Sequence, residues 1–196
     1  MPARVLLFEP PRGVLIVPRS AAEIALEDAG LPDAPEAERT RVLTTMAHDA
    51  AEANATVVLV WQEGFAPFGL WIQITPISGI RLARDFVRGE TSGWVGQVHA
   101  PHIGPGLEWF APASEGESAS RWSAVFADEN LFVNLTLSAS SFADLVARRS
   151  LVESTVLPSL VIAADAEPWR SLEEVGSGIV AAKEPWPQLT DAEPAG

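Results

Sequence analysis

Residues 54–78 read NATVVLVWQEGFAPFGLWIQITPIS, and every other element can be placed by how it covers this stretch. Two apolar runs, 56–61 and 70–77, flank a connector holding Gly64, Pro67 and Gly69. Runs of this length, rich in Val, Ile and Trp and bounded by turn residues, predict paired β-strands. In the second run Leu70, Ile72, Ile74 and Pro76 alternate with Trp71, Gln73, Thr75 and Ile77, which predicts a half-buried strand. The first run, TVVLVW, is apolar on both faces and predicts a more central strand.

Upstream, 5–8 and 14–17 are short apolar runs separated by Glu9-Pro10-Pro11-Arg12-Gly13, a turn-rich segment that predicts an opening β-hairpin. Ser20 and Glu23 have the spacing of a capping box for a helix ending near Ala29, with Gly30 as its left-handed cap. Asp33 and Glu36 repeat that spacing, and Pro35 suits a first turn. The helix they open runs to about Ala53, with Leu43, Met46, Ala47, Ala50 and Ala51 as its apolar stripe.

Downstream, 80–87 fits a strand and a helix turn equally. Residues 89–106 carry five glycines and Pro105 and read as loop, followed by a strand at 107–111. Runs 122–127 and 131–138 flank Asp128-Glu129-Asn130 and predict a second hairpin, with Leu131, Val133, Leu135 and Leu137 on the core face. Ser141 with Asp144 opens a further helix that Pro158 ends near Leu157. From Ala163 seven carboxylates stand against Arg170 and Lys183, a local net charge of −5. The chain therefore divides into one domain over 1–162 and an acidic, partly irregular tail over 163–196, with 171–182 able to form a short helix.

A net charge of −13 argues against nucleic acid, whose phosphates must be met by cations, and against anionic membrane surfaces. No Cys is present, which excludes a disulfide scaffold, a thiolate zinc site and a Cys nucleophile. The opening MPARVLLFEPPRG lacks a long apolar run with a small-residue cleavage site, so no signal peptide is expected and the default location is cytoplasmic. No run reaches the ~18 apolar residues of a membrane span.

The order of elements carries a resemblance. An Ala-rich helix over 36–53 leads to TVVLVW, a Gly/Pro connector and LWIQITPI; then come LEWFAPA, LFVNLTLSAS and a helix ending VESTVLPSLVIA. This pattern, covering roughly residues 36–162, resembles small actinobacterial proteins encoded near type VII secretion loci and the PsbP-like α+β fold. The resemblance implies a domain that binds partners, and it transfers no catalytic residues. Trp94-Val95-Gly96 spells the W-x-G turn of small helical type VII substrates, but its flanks here are glycine-rich rather than helical.

Few residues suggest chemistry. His99 and His102 are the one closely spaced imidazole pair, and a zinc site would need about two more ligands, so no metal or other cofactor is expected. No G-x-S-x-G elbow and no G-x-G-x-x-G turn occurs. Of the seven tryptophans, Trp61, Trp71, Trp109 and Trp122 belong to strands, whereas Trp94, Trp169 and Trp186 lie in loop or tail. The latter three are the candidate partner-binding residues, because Trp covers large area at low entropic cost. The alternative is that tail tryptophans pin the tail to the body.

The expectation is an α+β domain with an antiparallel sheet of five to seven strands and helices packed on one face, PsbP-like. Its function is expected to be non-enzymatic protein interaction, accessory to a secretion-related system. Two rivals are an acidic immunity-type inhibitor, which the charge suits, and a small-ligand-binding or hydrolytic enzyme using the 90–106 loop.

Overall fold

The structure, a computed structural model, describes residues 3–17, 35–76, 95–111 and 119–172. Within them the chain runs β1 (Arg4–Leu7), β2 (Val14–Ile16), α1 (Glu36–Glu52), β3 (Thr56–Val60), β4 (Phe68–Pro76), β5 (Val95–Ala100), β6 (Gly104–Ala111), β7 (Ser120–Ala127), β8 (Leu131–Ala139), α2 (Phe142–Leu151), β9 (Leu160–Ala164) and β10 (Glu167–Pro168). The expected helix over 20–29, the capping residue Asp33 and the ambiguous 80–87 lie outside the described residues.

Seven of these strands form one antiparallel sheet, ordered β2-β3-β4-β8-β7-β6-β5, and β1-β9-β10 form a second. The fold is therefore α+β with antiparallel sheets. The predicted hairpin is β3–β4, in register from Thr56↔Ile72 to Val60↔Phe68. Opposed residues of an antiparallel ladder share a face. Val57, Leu59 and Trp71 thus point one way, and Val58, Val60, Leu70 and Ile72 the other, the predicted alternation.

Each face is covered by a different helix, which corrects the expectation of helices on one side. Leu43, Ala47 and Ala50 of α1 bury against Val57, Leu59, Val17 and Trp61, while Ala51 is exposed. On the opposite face Leu145, and Val152 and Val156 just beyond α2, pack with Leu70, Ile72, Phe126, Val133, Leu135 and Leu137. The small sheet closes this larger core through Val5, Leu160 and Ile162. A sheet apolar on both faces needs cover on both, and each helix supplies only one narrow stripe.

Pro35 stands outside α1 as its flanking residue and gives no side-chain cap. By contrast, the predicted cap of α2 forms, with Ser141 Oγ accepting from Asp144 N at 3.2 Å. Beyond Leu151 the helix widens into a π-turn at Val152–Val156 and ends before Pro158. In the β7–β8 turn Asp128 Oδ1 accepts from the N–H groups of Asn130 and Leu131, both at 2.7 Å.

Three further readings are corrected. First, β1 and β2 form no hairpin: β1 pairs β9 and β2 pairs β3. Pro10 and Pro11 lack the N–H groups a hairpin would exchange, and the segment crosses between sheets. Gly13, at φ +82°, ends it with its carbonyl accepting from Trp61 N at 2.7 Å; a Cβ there would lie 2.1 Å from the Trp61 carbonyl oxygen. Second, the expected loop over 89–106 contains strand β5 and the start of β6, joined by a turn at residues 101–103. Glycines obscured the pattern, yet Gly106 is required by packing, since a Cβ would come within 2.5 Å of the Val125 carbonyl and 2.7 Å of the Phe126 ring.

Third, residues 163–172 belong to the body. They hold the end of β9, all of β10, and a buried Trp169 whose Nε1 donates to Asp128 Oδ2 at 2.7 Å. Ser171 is also buried, its Oγ paired with both backbone groups of Ala127. No helix among the described residues is long and apolar enough to cross a membrane.

Candidate functional site

The register sets one row of side chains across four central strands on the α1 side: Trp71 (β4), Thr136 (β8), Ser123 (β7) and Trp109 (β6). Strands lie ~4.8 Å apart, so the two indole-bearing backbones are ~14 Å apart with short hydroxyl residues between them. Tall walls over a short floor leave a recess. It measures ≈460 Å³ and is completed by Gln73 and Asn134 in the row on one side, Ser138 and Arg121 in the row on the other, and Ala55 at the foot of α1.

The recess separates two apolar clusters on this face. One is the α1 cluster; the other comprises Val95, Leu107, Trp109, Val125, Ala127 and Phe132. Trp71 is half-buried and forms the accessible wall, while Trp109 is 1% exposed and closes the far side. Gln73 Nε2 donates to the Ala53 carbonyl at 3.2 Å, holding that amide against the end of α1. Asn134 Oδ1 is buried and accepts no hydrogen bond. A buried acceptor without a donor costs ~1–3 kcal/mol, so this atom marks where an incoming N–H or O–H is favoured. Arg121 is exposed and is the one charged residue among the described residues that line the recess.

A second polar cluster lies on the opposite face, beneath α2. Glu108 is 1% exposed, and its carboxylate accepts from Trp122 Nε1 at 2.7 Å, Arg149 Nη2 at 2.8 Å and Arg149 Nε at 3.2 Å. Arg149 Nη1 also donates to Glu153 one turn on. Burial raises the Glu108 carboxyl above its ordinary value, opposed by the Arg149 guanidinium and the Trp122 N–H. With every donor supplied by β7 and α2, this cluster ties the helix to the sheet.

Of the residues singled out in the sequence, Trp169, His99 and His102 fall among the described ones. Trp169 is buried in the core and pins residues 163–172 to the body. Trp94 and Trp186 lie outside the described residues. His99 is exposed on β5 opposite Pro105, and His102 sits in the β5–β6 turn with its ring 5.5 Å from that of Phe8. No group of three or more His, Cys, Asp or Glu side chains able to hold a metal occurs among the described residues.

The recess itself escaped the sequence reading. Its signal lay in β8, where Asn134, Thr136 and Ser138 form a polar face on a strand flanked by apolar ones. No family model, curated protein or solved structure matches the chain.

Proposed function

We propose that this chain is a non-enzymatic binding domain that receives its partner in the recess over β4, β8, β7 and β6. The observation carrying this reading is the lining itself: hydroxyls, amides, a guanidinium and an indole wall. Such groups hold a ligand by hydrogen bonding and stacking, in a volume within the ~300–1,000 Å³ range of ligand pockets. The PsbP-like assignment and a role accessory to a secretion-related system belong to the same proposal. They are supported by the order helix, three successive hairpins, helix and closing strand from α1 to β9.

A panel of small polar fragments, followed by NMR of the ¹⁵N-labelled chain, tests the reading. Binding should shift the indole N–H of Trp71 and the side-chain amides of Gln73 and Asn134. Shifts confined to other surfaces would move the binding site off this face. A second reading, an acidic inhibitor that masks a basic partner, is favoured by the net charge of −13. It predicts binding that weakens steeply with salt and leaves the recess resonances in place.

A further inference from the structure

We infer that the recess is a saccharide site, taking one or two neutral sugar rings; this rests on the reading of the recess as a binding surface. The chemistry of the lining selects the class. Asn134 Oδ1 is a buried acceptor with no donor, so the group that meets it must carry an N–H or O–H. Carboxylates and phosphate diesters offer acceptors alone and leave that atom unpaired. Thr136, Ser123 and Ser138 can each donate or accept, which suits a ligand that alternates the two roles at short intervals, as vicinal hydroxyls do.

Trp71 stands half-exposed at the end of the hydroxyl row. An indole offers a flat apolar surface, and the C–H face of a pyranose is the matching apolar surface of an otherwise polar molecule. With Arg121 as the one cation and no carboxylate among the described residues that line it, the site favours a neutral or weakly acidic ligand over a cationic one.

A peptide is the competing occupant, and the topology argues against it. Extended peptides are captured at sheet edges, where free backbone N–H and C=O groups complete a ladder. The floor here is built from β8 and β7, each hydrogen-bonded to neighbours on both sides, so recognition must come from side chains alone.

The test uses the full chain with cellobiose, maltose and diacetylchitobiose as probes, and tetra-alanine for comparison. ¹⁵N NMR reads the Trp71 indole and the Asn134 side-chain amide, and tryptophan fluorescence gives the affinity. At least one disaccharide should give saturable shifts at both groups. Asn134→Leu and Thr136→Val, checked for an unchanged melting temperature, should each weaken binding about tenfold, the worth of one lost hydrogen bond.

Saturable shifts that survive both substitutions would place the sugar elsewhere and overturn the assignment. Shifts from tetra-alanine or the fragments, with none from any saccharide, would overturn the saccharide class while leaving the recess as a binding surface. If no probe or fragment moves these resonances, both readings fall together.

Discussion

Arg149→Met should destabilise the fold by ~3–5 kcal/mol near neutral pH, the typical cost of breaking a buried ion pair from one side. The geometry justifies the upper class of effect. The Glu108 side chain is 2% exposed and that of Arg149 11%, and Arg149 supplies two of the three donors to the carboxylate. Without it, Trp122 alone would face a buried negative charge. For a chain of this length the loss corresponds to a fall in Tm of roughly 6–20 °C. Glu108→Gln should cost less, about 1–3 kcal/mol, because the amide still accepts from Trp122 and Arg149 keeps Glu153.

The pH dependence gives a sharper check. Burial raises the Glu108 carboxyl above 4.5, so over the window above that value the folded chain holds a proton the unfolded chain has lost. Stability from this group is therefore complete below the unfolded value and declines as pH rises through the folded one. Removing the guanidinium lifts the carboxyl further and extends the decline. The Arg149→Met penalty should thus shrink between about pH 7 and about pH 5, and Glu108→Gln should flatten the profile. Urea melts at the two pH values, with the double variant alongside, measure this. Equal penalties at both pH values, or single losses that simply add in the double variant, would refute the reasoning.

Leu135→Ala should cost ~2–5 kcal/mol through lost transfer energy and a cavity, whereas Thr136→Ala, on the recess face, should cost about 1 kcal/mol or less; urea melts compare them directly. Gly106→Ala should lose ~1–3 kcal/mol, because its Cβ meets backbone and a packed ring that cannot both retreat. Trp169→Ala should lose ~3–5 kcal/mol, and a chain ended at Ala163 should melt earlier still; an unchanged Tm would restore 163–172 to a tail. Ser141→Ala should cost ~0.5–2 kcal/mol and show in the helical circular dichroism as earlier fraying of α2.

Wherever a strict period of two ran through a strand, its faces could be read from the sequence. β4 and β8 kept that period, and Val133 and Leu135 lie inward as predicted. The cap at Ser141 and the turn at Asp128 were legible because a side-chain oxygen at fixed spacing leaves few alternatives. Strand β5 and the start of β6 were hidden, since Gly96, Gly104 and Gly106 read locally as loop, and only the neighbouring strand's Val125 carbonyl and Phe126 ring explain why Gly106 must lack a side chain. The partner of β1 lies near the far end of the chain, beyond any local pattern. The recess was invisible for a related reason: Trp71, Thr136, Ser123 and Trp109 become neighbours only once four strands are set in register, and each residue alone reads as core or surface.

The β1–β9 ladder has a consequence for how the protein is made. Arg4 pairs with Ala163, so β1, once synthesised, waits for a partner made roughly 160 residues later. Meanwhile the large sheet can form hairpin by hairpin, since β3–β4, β5–β6 and β7–β8 each join neighbours in sequence. The larger core stays open on one side until residue 164 has emerged, with Val5 still unpacked. Nascent chains stalled before that point should bind holdase chaperones, and those stalled well beyond it should release them.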